Sequence, residues 1–489
     1  MMKRHITRQK LGTAEDEAPD SCTPHTIGNI SPPTSSIERR KRQSPKASPG
    51  TIGDDLIISS ELDRLIRQRG RDLRLRKNDQ QNAVKLVNNL INGLLEFFKN
   101  NEDQPFFREV SVLTSGSYYE LVKINKPNEF DIMLKLKVPR LIWSELEDYN
   151  GLFYKVMLPR ATRSDIQFFL LEDERTISAT KVKGELYRLV RKFISNYKGE
   201  GCWLIQRQRV TSPAVTLELK TGDEEEDVLS VDLVPALEVP QGWPQAARAG
   251  PDVDQWLGKR CRRNFISKAV YFVPKRPHGR NLKDEAKESW RISFSHIEKE
   301  MIQYHGNKRT CCEGAPNKCC RKLSLRLLKL LIEGLKQHYP KELEPLCSYH
   351  GKTAFFHNLS VRVQDSLWSP GQLSVCFMKL FGHFERCAQN GSLLHFFVRD
   401  HNLFAPPAFP KRTLVFLTNA LKEQRESGFP VLKVPSPTSA LVPDIDPLIP
   451  PNPIDGTEEV VASKSSIRYV YACLVCVIVF VGIGCVFQQ

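Results

Sequence analysis

Three carboxylates stand in surroundings that read as β-strands: Glu129 and Asp131 in Asn-Glu-Phe-Asp-Ile-Met-Leu, and Asp232 in Ser-Val-Asp-Leu-Val. Side chains alternate faces along a strand, so positions 129 and 131 point one way while Phe130, Ile132 and Leu134 take the core side. Two acids on one strand face repel each other. A divalent cation relieves that repulsion, and Mg²⁺ binds a few carboxylates together with substrate phosphates. Asp232, on a second apolar strand, can complete such a site. Upstream, the turn Ser115-Gly116-Ser117 offers backbone N–H groups and a hydroxyl to a triphosphate. A lone Glu-any-Asp is usually a solvated face. The Gly-Ser turn before it and the apolar run around Asp232 favour metal-assisted phosphoryl transfer.

A second constellation follows. His305 precedes Cys311-Cys312 and Cys319-Cys320. One imidazole and three thiolates in so short a span fit a closed tetrahedral Zn²⁺ site. The expected ligands are His305, Cys311, Cys312 and Cys319, with Cys320 as the alternative. A full set of four protein ligands makes the site structural. The chain holds 13 cysteines and opens Met-Met-Lys-Arg-His without an apolar signal region. A reducing compartment is therefore expected, where clustered cysteines suggest metal ligands rather than disulfides. Lys299, Lys308, Arg309, Lys318, Arg321, Lys322 and Arg326 crowd the cluster. So much charge on a stapled loop suits nucleic-acid phosphates, read by shape and charge with little sequence preference. The net charge of +15, from 71 Lys+Arg against 56 Asp+Glu, agrees with a polyanionic partner.

The elements that must position these groups divide the 489 residues into segments. Residues 1–55 are rich in Ser, Thr, Pro and charge, and a disordered tail is expected there. Its run Arg39-Arg40-Lys41-Arg42 suits a nuclear localisation signal, a DNA-contacting arm or a plain solvated stretch. Leu62, Leu65 and Ile66, then Val84 to Leu95, keep helical spacing. The basic stretch between them, with Arg74 and Arg76, is read as part of one long helix showing a face to phosphates. Residues 56–250 are assigned to an α/β core with a mixed twisted sheet. Residues 251–434 form a mostly helical lobe carrying the zinc loop (305–320), with Leu325, Leu327, Leu328, Leu330, Leu331 and Leu335 as a core stripe. A Pro-rich linker spans 435–466. The uncharged run 469–487, within the segment 467–487, follows Lys464 and Arg468 and is long enough for a transmembrane helix of roughly 28 Å. A membrane anchor with the rest of the chain in the cytosol is expected from it.

A Gly-Ser turn, Glu-any-Asp and a distant Asp mark template-independent nucleotidyltransferases, and here the likeness is narrower. From about Arg71 to Val434 the chain resembles the vertebrate cyclic GMP-AMP synthases, a family of cytosolic double-stranded-DNA sensors. The resemblance rests on Gly-Ser-Tyr-Tyr-Glu-Leu-Val-Lys-Ile, Pro-Asn-Glu-Phe-Asp-Ile-Met, Ser-Pro-Ala-Val-Thr-Leu, Trp-Arg-Ile-Ser-Phe-Ser-His-Ile-Glu-Lys-Glu, the His-Cys-Cys-Cys insertion and Ser-Tyr-His-Gly-Lys-Thr-Ala-Phe-Phe-His. It implies a two-lobed fold and a DNA-activated synthesis of cyclic GMP-AMP from ATP and GTP, as an innate immune second messenger. It further implies that Glu129, Asp131 and Asp232 hold two Mg²⁺ (or Mn²⁺) ions and that Gly116 and Ser117 cradle phosphates. Arg291, Ser293 and Ser295 would meet the acceptor nucleotide and Tyr349 would stack on a base. Glu298, Lys329, Ser348 and Lys352 would line the pocket. DNA contacts would fall on Arg74, Arg76, Lys299, Arg309, Lys322 and Arg326, with a DNA-induced homodimer as the active form. Val234 stands where the familiar forms have a threonine, which leaves base choice and product linkage open. Ser115 likewise replaces a threonine. The rival readings are a catalytically dead DNA-binding scaffold, a synthase of another cyclic dinucleotide, and a sensor of double-stranded RNA.

Overall fold

The computed structural model describes residues 58–73, 77–116, 120, 122–124, 128–220, 228–279, 281–306 and 318–433. The expected tail 1–55, linker 435–466 and apolar segment 467–487 lie outside the described residues. Two helices open the described chain: α1 (Ser60–Asp72) and α2 (Lys77–Lys99). Ser59 caps α1, its hydroxyl accepting from the Leu62 N–H at 3.2 Å, and Glu61 and Asp63 sit in the first turn, where the helix dipole favours negative charge. The single long helix expected here is two: α1 closes at Leu73, whose N–H returns to the Arg69 carbonyl, and Arg74 and Arg76 lie outside the described residues.

A nine-stranded mixed sheet follows, with the path β1-β2-β7-β8-β9-β4-β3 and with β6 and β5 added beside β7. Its strands are β1 (Ser111–Ser115), β2 (Glu129–Leu136), β3 (Ile142–Glu145), β4 (Phe153–Met157), β5 (Trp203–Ile205), β6 (Val215–Lys220), β7 (Val228–Val239), β8 (Val270–Val273) and β9 (Trp290–Ser293). Phe130, Ile132 and Leu134 are buried on the core side of β2, as the alternation requires, each side chain contributing about 1.5–3 kcal/mol by leaving water. The sheet extends past residue 252, where mostly helix is expected. β8 and β9 are four-residue strands, too short to show a period of two over the helical pattern around them.

Helix α3 (Ala179–Ser195) lays Val182, Leu186, Leu189 and Val190 on the β5–β7 end of the sheet. The chain then adds α4 (Lys259–Ile266) and α5 (Ser295–Gln303), the latter packing on β1. The helical lobe comprises α6 (Arg321–His338), α7 (Ser348–Val361), α8 (Leu373–Gln389) and α9 (Lys411–Glu426). The leucine stripe of α6 is buried throughout, against α7 and α8.

The expected transmembrane helix requires correction. No helix among the described residues is long and apolar enough to cross a membrane. The longest, α2 with 23 residues, breaks its apolar face with Lys85, Asn88, Asn89, Asn92 and Glu96, so it is amphipathic and suited to a protein surface.

Candidate active site

The acids meet through strand pairing. β2 and β7 run parallel, in a register that sets Asp131 beside Asp232 and Glu129 beside Ser230. β1 runs antiparallel on the other side of β2 and places Ser115 beside Asp131. The chain then turns at Gly116, whose φ of +79° is open to glycine at little cost. A side chain there is impossible without movement: a Cβ on Gly116 would lie 1.8 Å from Asp131 Oδ2. The backbone of the turn therefore sits directly on the carboxylate.

A cavity of about 610 Å³ opens beside these groups, between the sheet and the helical lobe. Of the expected residues, Gly116, Asp131, Asp232, Arg291, Ser293, Ser295, Glu298, Tyr349 and Lys352 line it. Glu129, Lys329 and Ser348 do not. Val234, the departure beside the third acid, lines it as well. Ser117 lies outside the described residues.

The electrostatics are those of a site that calls for a cation. Burial pushes the Asp131 carboxyl up to about 7, helped by the charges of Glu129, Asp232 and Glu120. Burial also raises Asp232, against a hydrogen bond from the Thr216 hydroxyl to Oδ1 at 2.6 Å. Glu129 behaves oppositely: burial would raise it, but the Lys123 ammonium, 2.7 Å from Oε2, together with Lys329 holds it below the usual range. Clustered carboxylates at oxygen-donor positions fit Mg²⁺ or Mn²⁺.

Three groups went unassigned in the sequence. Glu120 is 1% exposed and pairs with Lys352 at 2.6 Å. Lys352 also reaches Glu298 Oε2 at 2.7 Å, so it sits between two acids rather than free in the pocket. Lys123 and Thr216 are the others. Glu120, Lys123 and Thr216 all fall inside the quoted motifs, and only that membership pointed to them. The Tyr349 hydroxyl donates to Glu298 Oε1 at 3.0 Å and lies 2.9 Å from His395 Nε2. The Ser295 hydroxyl donates to Met133 Sδ at 2.8 Å.

Half of the zinc cluster is described. His305 is buried, its Nδ1 is 2.6 Å from the Ile302 carbonyl and its Nε2 is 3.2 Å from Cys319 Sγ. A backbone carbonyl at Nδ1 fixes the tautomer that leaves Nε2 for a metal, the usual arrangement behind a ligating imidazole. Cys320 turns away into the core, where it packs against Cys376 and Ser324. Cys311, Cys312 and Arg309 lie outside the described residues, and among the described ones no three metal-binding side chains stand together, the carboxylates included: Asp131 and Asp232 meet, while Glu129 is turned to Lys123. Of the expected DNA contacts, the Lys299 ammonium donates to the Thr114 hydroxyl at 2.7 Å and Arg326 to the Leu73 carbonyl at 3.4 Å.

The raised Asp131 has a measurable cost. In the unfolded chain it loses its proton near 3.8, in the folded chain near 7. Between those values the folded state holds more protons, so stability falls as pH rises through that window. Asp131→Asn removes the charge. In Mg²⁺-free buffer at pH 8 it is expected to stabilise the protein by on the order of 2 kcal/mol, a few degrees in Tm, with a smaller gain at pH 5. Thermal unfolding at both pH values checks the sign.

The comparisons agree with the geometry. Residues 118–304 match the Mab-21 protein nucleotidyltransferase domain, and residues 320–423 the Mab-21 protein HhH/H2TH-like domain. The chain is 37% identical over 397 residues to cyclic GMP-AMP synthase of Mus musculus, covering 80% of this chain and 73% of that protein. Against cyclic GMP-AMP synthase of Sus scrofa it is 37% identical over 363 residues, covering 73% and 70%. A cyclic GMP-AMP synthase-like receptor of Magallana gigas is 26% identical over 349 residues, covering 69% and 55%. With its paired aspartates under a glycine turn and this extent of identity, the chain belongs to the cyclic GMP-AMP synthase family of nucleotidyltransferases.

Proposed function

We propose that this nucleotidyltransferase joins ATP and GTP into cyclic GMP-AMP when double-stranded DNA is bound, and that Glu129, Asp131 and Asp232 hold two Mg²⁺ (or Mn²⁺) ions. The observation that carries the reading is the β2–β7 register, which puts Asp131 and Asp232 side by side at the cavity in a chain of this family. Bound there, the ions would activate the attacking ribose hydroxyl and neutralise the triphosphate. The protein's part is positioning. Thr216 fixes one oxygen of Asp232, and no hydrogen bond holds the other among the described residues. Gly116 brings backbone onto Asp131 where phosphate oxygens must come. Arg291 lies deep in the cavity wall, a fixed positive charge for a nucleotide.

Two contacts support a silent state without DNA. Glu129 is held by Lys123 and does not line the cavity, so the third carboxylate must exchange that ammonium for a metal ion. Lys299 is bonded to Thr114, two residues before Gly116, which links the basic face to the turn. DNA at Lys299, Arg309, Lys322 and Arg326, with Arg74 and Arg76, would bind the reordered turn better and shift the population toward it. A DNA-induced homodimer is the active assembly in this reading. Turnover measured with and without long double-stranded DNA is expected to differ at least about tenfold, and equal turnover contradicts the reading. DNA binding without any product would instead support the scaffold.

The zinc loop belongs to the same proposal, with His305, Cys311, Cys312 and Cys319 as ligands. Cys319→Ala is expected to lose Zn²⁺ by metal analysis and DNA-stimulated activity together, because an unstapled loop cannot hold its basic residues in place. Wild-type protein without Zn²⁺ would contradict this part.

A further inference from the structure

The cavity wall holds a Cys–His pair that the reaction does not use. Cys347 precedes α7 and is exposed to the cavity, which both it and His350 line. His350 Nδ1 lies 3.4 Å from Cys347 Sγ, and its ring is buried, stacked on Phe404 at 5.4 Å with Phe409 at its edge. The Cys347 sulfur also caps α7, a helix of 14 residues, accepting from a first-turn backbone N–H. A helix N-terminus and an imidazolium both favour a thiolate.

The charges facing this sulfur come from several elements. Burial would raise the thiol, but His350, the Tyr349 backbone N–H and Lys275 after β8 bring it down to about 6. His350 is raised in return by Cys347 and by hydrogen bonds to the Cys347 and Leu403 backbone, against burial. Lys275, crowded by Arg291, falls to about 8. His278 is held low by burial and by Lys275, against the pull of Glu344.

We propose that Cys347 is a redox modification site within the nucleotide cavity, taking a low-molecular-weight disulfide such as glutathione disulfide and thereby closing the cavity to nucleotide. The Cys347 thiolate attacks one sulfur of the disulfide. A new S–S bond forms to Cys347, the old S–S bond breaks, and the departing thiolate takes a proton from water, His350 Nδ1 being engaged by the Cys347 backbone N–H at 3.1 Å. No net oxidant is consumed beyond the disulfide itself. A second thiol, attacking the glutathionyl sulfur attached to Cys347, regenerates the free thiolate. Basic groups around the sulfur suit the carboxylates of glutathione. The consequence for activity rests on the nucleotide reading above; the reactivity of the thiol does not.

Two arms keep those apart. In the first, full-length protein and a free cysteine peptide are alkylated together with iodoacetamide at pH 6 and followed by peptide mass spectrometry. His350 and the start of α7 favour the thiolate of Cys347 over that of a free cysteine, so Cys347 should react several-fold faster. ATP with Mg²⁺ should slow it. Reaction no faster than the free peptide overturns the proposal. In the second arm, glutathione disulfide should lower the DNA-stimulated activity of wild-type protein several-fold, with dithiothreitol restoring it. For Cys347→Ser, the ratio of treated to untreated activity should stay near one. An equal fractional loss in Cys347→Ser places the inhibition at another cysteine and overturns the switch. Protection by ATP with Mg²⁺ in the first arm, with no activity in either protein, would leave the thiol site and nucleotide binding standing and count against the synthase reading alone.

Discussion

Asp131→Ala and Asp232→Ala are each expected to lower product formation at least about 10³-fold, with little change in DNA affinity. The two carboxylates sit side by side on the central parallel pair of the sheet, and both line the cavity. Their burial and mutual repulsion work against the folded chain, as expected of groups that serve a site rather than stability. In the proposed reaction, losing one would remove a metal-holding oxygen pair, worth at least about 4 kcal/mol of transition-state stabilisation at that fold-change. DNA affinity is measured in the same preparations, by titration at fixed salt. Substantial activity in either variant would show that the pair is not the catalytic centre.

Gly116→Ala is expected to cost about 10²–10³-fold in activity while the protein still folds. Two effects combine. Alanine at φ +79° carries a left-handed penalty of roughly 1 kcal/mol. More important, its Cβ would meet Asp131 at the carboxylate oxygen, Cγ and Cβ, all within 2.8 Å. The carboxylate must swing away or the turn must lift, and either change misplaces the carboxylate proposed to hold metal by about an ångström, enough for a loss of this order. Circular dichroism and melting should show a folded variant. Wild-type turnover in Gly116→Ala would mean that the turn leaves Asp131 during the reaction.

The acids were legible because strand alternation is a local rule. Glu129, Phe130, Asp131 and Ile132 announce their faces within four residues, and Asp232 carries the same apolar flanks. The α6 stripe was legible for the same reason at period 3.6. What the sequence left dark is the set of contacts between distant segments. Lys352 meets Glu120 across 232 positions, and Thr216 meets Asp232 only because β6 pairs with β7. Lys123 and Glu129 are close in sequence, but a loop lysine can point anywhere until the strand behind it is fixed. Cys347 and His350 share a helix start, yet the cavity that gives them access is closed by residues from both lobes. The strands β8 and β9 escaped because four residues cannot establish a period. For the C-terminal apolar run, length and lack of charge are all that suggest a membrane span, and the run lies outside the described residues. Among the described residues every long helix is amphipathic or buried by its neighbours.

In the proposed function, the Asp131–Asp232 site makes a cyclic dinucleotide from ATP and GTP under the control of DNA. The most direct measurement is mass spectrometry of the products formed by purified full-length protein with ATP, GTP, Mg²⁺ and long double-stranded DNA, beside the same mixture without DNA and with Asp232→Ala. Cyclic GMP-AMP is expected in the first mixture only. A different product, or the same product from Asp232→Ala or without DNA, would contradict it.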